Sequence, residues 1–295
     1  MKYWIQAARP RTLILGMCGP SFVALYGTQF PDFNWTSWAL FTFTLLALQI
    51  VSNFANDLGD GLKGSDNNRD GEERMLSSGK LTVAQFKTAI IGTCVLAFGT
   101  GILSLLASDL DWLGRGILFA IGLLAIAAAL TYTLGKKAYG YQGLGDVSVM
   151  LFFGFCAVAI PLYLCTGQWD NNFLLPSIAI GLLSVAVLNL NNIRDLEEDK
   201  ANNKNTLAVK LGTKGSRFYH FSLLLLPLPI ALAFLAKFDS PYILAMFFVN
   251  SIQVILAFLV LKTFEIKKLD AMMKFHALGA LIFSVTFGIC SGVFS

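Results

Sequence analysis

Trp35-Thr-Ser-Trp-Ala-Leu-Phe-Thr-Phe-Thr-Leu-Leu-Ala-Leu-Gln-Ile-Val-Ser-Asn53-Phe-Ala-Asn56-Asp57-Leu-Gly-Asp60 starts as an uncharged, apolar run and ends in carboxylates. About twenty apolar residues carry a helix across a bilayer, so the first part of this stretch predicts one crossing. Reading outward finds eight further runs of the same kind. The nine fall at 12–28, 35–55, 85–107, 113–134, 144–166, 172–192, 217–237, 241–262 and 272–294. Strands of a membrane barrel would alternate apolar and polar residues, and no such pattern occurs. The composition agrees, because 56% of the 295 residues are hydrophobic and 14% are charged, against about 25% charged in soluble domains. Disordered, collagen-like and disulfide-stapled classes are excluded by the same figures. The expectation is an all-α, polytopic membrane bundle of about nine transmembrane helices, a single domain over 1–295, with the lipid bilayer as its solvent.

Sorting the basic residues by loop gives the orientation. Nineteen lie in alternate loops that include Lys2, Arg9 and Arg11, while only Arg115 and Lys237 lie in the others. The positive-inside rule then places the N-terminus in the cytoplasm. The first run follows this basic segment without a small-x-small cleavage site, which reads as an uncleaved first span. A net charge of +4 without an arginine-rich, aromatic-interleaved stretch argues against a nucleic-acid partner. The five cysteines sit in apolar runs without metal-ligand spacing and read as small packing residues.

The acids are less evenly spread. Ten of 18 fall in two long loops on the basic side, roughly 56–84 and 193–216. If the second span continues as a helix, Asn53, Asn56, Asp57 and Asp60 stand at i, i+3, i+4 and i+7, on one face. In the other loop Asn191, Asp195 and Asp199 stand at i, i+4 and i+8, with Asn192 beside them. Stacked carboxylates repel unless a cation lies between them. Oxygen-only ligands suit Mg2+, which shares its shell with phosphate groups. The other reading of each cluster is a solvated set of acids balancing nearby lysines. Arg74 and Lys80 follow the first cluster, Lys204 follows the second, and Lys136 and Lys137 lie between Tyr132 and Tyr139. Such cations suit an anionic diphosphate, although any one of them also fits an interfacial, positive-inside residue.

With these motifs the sequence resembles the UbiA superfamily of intramembrane prenyltransferases. Within that superfamily it is most similar to the branch that prenylates 1,4-dihydroxy-2-naphthoate. The narrower likeness rests on Ala8-Arg9-Pro10-Arg11-Thr12-Leu13, the Asn56–Asp66 stretch, Tyr139–Asp146, and Asn192 through Gly212. Two positions depart from the wider pattern. The superfamily's further acid four residues after Asp60 is Gly64, a departure the naphthoate branch shares, and no proline occurs in Gly71-Glu72-Glu73-Arg74.

The resemblance implies that Asp57, Asp60, Asp195 and Asp199, helped by Asn53, Asn191 and Asn192, hold Mg2+ and are the catalytic acids. It implies that Lys136, Lys204, Arg74, Lys80 and Tyr132 bind the diphosphate of a polyprenyl diphosphate. Tyr139, Asp146 and Arg9 would bind the aromatic acceptor. Prenyl transfer would release diphosphate and CO2 and give demethylmenaquinone, at the cytoplasmic face of the cell's inner membrane. Other aromatic acceptors, such as 4-hydroxybenzoate or homogentisate, remain open on physical grounds. A cation-coupled transporter is the alternative from another class, although transporter sites usually lie near the bilayer midplane rather than at one face.

Overall fold

A membrane-embedded chain satisfies its backbone polar groups internally, and helices do this within each segment. The computed structural model describes residues 1–64, 73–135, 137–238 and 242–292, and among them all regular structure is helical. Eight helical segments are long and apolar enough to span a membrane. They are α4 (Trp35–Lys63), α5 (Val83–Ala107), α6 (Trp112–Thr131), Gly145–Thr166, Asn171–Arg194, Leu207–Leu235, α13 (Ile243–Lys262) and α14 (Ile266–Gly292).

The first expected span departs from this pattern. Residues 12–28 are shared between α2 (Pro10–Gly16) and α3 (Cys18–Gly27), which follow α1 (Lys2–Ala8). Arg9 ends α1 in the left-handed region at φ 51, and Pro10 starts α2 at its first position, where a missing N–H costs nothing. Pro20 then lacks the N–H that would have tied α3 back to Gly16. The entry is therefore broken, and the crossings are carried by the eight helical segments that follow.

Other breaks have equally local causes. The fifth crossing runs from α7 (Gly145–Val149) through a π-helical turn (Met150–Phe155) into α8 (Cys156–Thr166). The sixth ends α9 (Leu174–Arg194) and hands over to the short α10 (Leu196–Ala201). Pro227 divides the seventh into α11 (Leu207–Leu225) and α12 (Pro227–Leu235). Helix starts are capped as their sequences imply. Asn34 accepts from the Ser37 N–H, Thr82 and Gln85 form a reciprocal capping box, and Asp111 accepts from the Gly114 N–H.

Lipid tails are as apolar as leucine, so close packing rather than water exclusion joins these helices. α5 and α6 turn most of their surface outward, whereas α9 is largely buried. Phe22 of α3, Phe234 of α12 and Phe287 of α14 interlock, with Phe22 and Phe287 centroids 4.8 Å apart. Small residues set the closest approaches. A Cβ on Gly154, in the π-helical turn, would lie 2.5 Å from the Ser177 carbonyl oxygen of α9. One on Gly19 would lie 2.4 Å from that of Ala157.

Gly154→Ala is therefore expected to destabilise the protein by about 1–3 kcal/mol, despite alanine's better helix propensity. Gly99→Ala, where an added methyl meets nothing within 4 Å, should be neutral or mildly stabilising. Thermal unfolding in detergent compares the two. Equal midpoints would remove the close crossing as a determinant of the fold.

Candidate active site

One face of α4 carries the site. Phe41, Leu45, Leu48, Ser52, Asn56 and Asp60 recur at three- or four-residue intervals along it, and all line a cavity of about 270 Å3. From Phe41 to Asp60 this wall rises roughly 28 Å at 1.5 Å per residue. It passes from aromatic and aliphatic side chains to amides and then a carboxylate. Leu118, Phe152, Phe153 and Ile160 complete the apolar end, and Arg9, Arg74, Asn191, Asn192 and Lys204 the polar end. A second cavity of about 60 Å3, lined almost wholly by apolar groups of α4, α5 and α6, adjoins the apolar end at Phe41, Thr44 and Leu118.

The first motif lies on α4, which runs unbroken through Lys63 as the spacing required. Asn53 donates to the Ala8 carbonyl (2.8 Å) and to the Thr12 hydroxyl (2.9 Å). It thus holds both sides of the left-handed turn at Arg9, whose side chain reaches the cavity. Asp57 is 1% exposed and accepts from the N–H groups of Met75 (3.0 Å) and Leu76 (3.1 Å). One carboxylate so orders the chain next to Arg74. Asp60 accepts from the Tyr141 hydroxyl at 2.7 Å. Gly64 ends the helix at φ 74, which explains why no acid follows on this face four residues after Asp60.

The second motif is interrupted, yet its phase survives. Asp195 is the C-cap of α9 with ψ near 10, a non-helical residue between two helices. Even so, its N–H donates to the Asn191 carbonyl (3.0 Å), and the Asp199 N–H donates to that of Asp195 (2.8 Å). The helical i, i+4 ladder crosses the break. Arg194 donates to both Asp195 oxygens, at 2.6 and 2.7 Å, and to the Asn191 side-chain oxygen at 2.8 Å. Lys204 pairs with Asp199 at 3.2 Å.

Tyr141 joins the two motifs, and the sequence reading assigned it nothing. It lies in a 3-10 turn (Tyr139–Gln142). The Lys63 ammonium sits 3.8 Å from its ring centroid and that of Lys204 sits 5.6 Å away. Lys63 also donates to the Thr133 carbonyl at 2.8 Å. The signal was present in the Tyr139–Asp146 stretch, but only a folded chain shows which tyrosine reaches the acids. Asp270 was also missed. It is a lone acid on α14, accepting from Arg194 at 2.6 Å and from Arg11 at 3.2 Å.

Other expected residues fall at different depths. Tyr132 and Tyr139 line the cavity edge-to-face, 5.2 Å apart. Tyr139 donates to the Ala128 carbonyl and shares a hydrogen bond with Ser148, each 3.0 Å. Burial pushes both phenols above their usual pKa, so they remain protonated donors at neutral pH. Lys80 is not among the cavity residues and pairs with Glu73 beside Tyr3. Asp146, in the first turn of α7, is not among the cavity residues and is hydrogen-bonded to Tyr219. Lys136 lies outside the described residues.

Among the described residues no three carboxylate or imidazole groups converge as a ready cage. The donor set still fits Mg2+ in kind, because it is all oxygen and Mg2+ is commonly held by one or two carboxylates plus substrate phosphates.

A family model described as the UbiA prenyltransferase family matches residues 17–279. The chain is 42% identical over 228 residues to the 1,4-dihydroxy-2-naphthoate octaprenyltransferase of Haemophilus influenzae, covering 76% of this chain and 74% of that protein. It is 42% identical over 224 residues to the Escherichia coli protein of the same name, with 75% and 72% covered. A UbiA homologue from Archaeoglobus fulgidus, solved bound to GPP and Mg2+, superposes with a TM-score of 0.63 at 12% identity. That superposition covers 95% of this chain and 99% of the other and shows a common fold. These matches run through the crossings that build the cavity, and the multi-pass membrane protein they describe belongs to the UbiA prenyltransferase family.

Proposed function

We propose that this enzyme transfers a polyprenyl chain from polyprenyl diphosphate to 1,4-dihydroxy-2-naphthoate, releasing diphosphate and CO2 and giving demethylmenaquinol, the reduced form of demethylmenaquinone. The observation that carries the reading is the graded wall of α4, apolar at Phe41 and anionic at Asp60, which matches an amphiphile with a long hydrocarbon tail and a charged head. The relatives named for naphthoate prenylation support the choice of acceptor.

In this reading Asp60, Asp195 and Asp199, with Asn191, Asn192 and the remaining lone pairs of Asp57, hold Mg2+. Asn53 sets the turn that delivers Arg9. When bound with the diphosphate, Mg2+ supplies positive charge that the leaving group needs. Lys204 and Arg74 add to that charge at the polar end of the cavity. Tyr132 and Tyr139 orient the ring and donor, and Arg9 meets the acceptor carboxylate. The allylic C–O bond breaks, a C–C bond forms to the electron-rich ring, and the ring carbon that is prenylated loses its carboxyl group as CO2. Apolar walls keep water from the allylic centre. Asp146 and Lys80 act from outside the cavity, Asp146 from the first turn of α7 and Lys80 from the turn before α5. The 1–295 chain acts as one domain in the inner membrane, with its site on the cytoplasmic side where the basic loops lie.

Purified protein in nanodiscs, given one polyprenyl diphosphate with each candidate acceptor, should release CO2 with the naphthoate. Product from 4-hydroxybenzoate alone would overturn the acceptor. Asp60→Asn and Asp195→Asn should each lower diphosphate release by about 100-fold or more, equivalent to roughly 2.7 kcal/mol. Asp57→Asn should also lower the unfolding midpoint, because the amide turns an N–H donor toward a backbone N–H at a cost of about 1–3 kcal/mol. A midpoint unchanged in Asp57→Asn would remove its part in ordering residues 75–76. Tyr141→Phe loses about 1 kcal/mol of hydrogen bonding to Asp60 and should raise the KM for the diphosphate several-fold. Tyr141→Leu, which also removes the ring from the two ammonium groups, should raise it further, and steady-state kinetics separates the pair.

A further inference from the structure

The guanidinium of Arg194 is buried, its side chain 2% exposed, and it forks between two carboxylates of opposite fate. Nε and Nη2 grip both oxygens of Asp195, a proposed cation ligand. Nη1 donates to Asp270 at 2.6 Å and to the Met273 sulfur at 3.2 Å. Nη2 also donates to Asn191. Asp270 lies outside both motifs, on the last helix, and its second oxygen accepts from Arg11 of α2.

A divalent cation arriving at Asp195 would meet this guanidinium at close range. Arginine does not shed its charge in proteins, so it must change partner rather than protonation state. Asp270 already holds one of its nitrogens and, at 26% side-chain exposure, keeps unoccupied lone-pair directions.

We propose that Arg194 is the internal counter-ion of Asp195 and transfers to Asp270 when a divalent cation binds, making Asp270 a positioning residue of the second motif. The proposal rests on Asp195 being a cation ligand. Without Asp270, Asp195 is the one carboxylate among the described residues left to pair with Arg194, which then competes with the metal. Without both, the competition is gone.

Mn2+ titration of the full-length protein in detergent, read by the EPR signal of the free ion, tests this without turnover. Asp270→Asn is expected to weaken Mn2+ binding about tenfold, within the range seen when groups behind metal ligands are changed. The double variant Arg194→Gln/Asp270→Asn is expected to recover binding to within about threefold of the unaltered protein. A structural salt bridge predicts the reverse, with the double variant as weak as the single or weaker, and that result overturns the proposal. Wild-type binding in Asp270→Asn overturns it too. If Asp270→Asn does not fold, Arg11→Gln serves, since it leaves Asp270 entirely to Arg194. Binding should then be equal or tighter, and a tenfold loss overturns the transfer. Asp195→Asn is the separate control, because undiminished Mn2+ binding there rejects Asp195 as a ligand rather than the transfer.

Discussion

A carboxylate at the end of an apolar bundle must be met by a donor, because an ion left alone in low dielectric is far too costly. Much of this molecule can be understood from how four such groups are met. Asp57 takes two backbone N–H groups, Asp60 a tyrosine hydroxyl, Asp195 a forked guanidinium and Asp199 an ammonium. Each donor comes from a different element, so satisfying the acids also ties those elements together. The turn after α4, the 3-10 turn at Tyr139–Gln142, the end of α9 and the segment entering α11 are all fastened to the site. Charge that would be ruinous elsewhere becomes the framework of the polar end.

The same donors bear on how the site accepts a ligand. A carboxylate offers about four lone-pair sites, so one donor does not by itself exhaust it. A cation and a diphosphate can therefore be added to a framework that is neutralised in their absence. This is a different design from a rigid cage of carboxylates, and it suits a metal that arrives with its substrate.

Much of this was legible in the sequence, and what was not has physical causes. The crossings were visible because lipid demands about twenty apolar residues in a row, and the helical phase of Asn53 to Asp60 followed from the continuation of α4. Asp195 as a non-helical cap was not visible, since nothing in Arg194-Asp195-Leu196 marks a stop as glycine or proline would. The break at Arg9 was hidden for a related reason, for an arginine in the left-handed region is a choice made by its surroundings, here Asn53 binding Ala8 and Thr12. Tyr141 and Asp270 lay beyond reach because each acts on a partner at least 60 residues distant, and spacing rules describe only neighbours on one helix. Lys80 and Arg74 looked equivalent as nearby cations, yet only Arg74 reaches the cavity.

The face of α4 has one more implication, for how such a protein can change over time. Because a single helix carries both the tail-binding side chains and the first acids, tail and head are indexed to each other by helical rotation. One residue inserted between Leu48 and Asn53 would turn every later side chain by about 100°, swinging the acids off the cavity wall. Substitutions along this helix act one at a time, whereas insertions and deletions act on the whole register at once. The length of this segment should accordingly be held far more tightly than its composition, and variation in length should collect in the connections at its two ends.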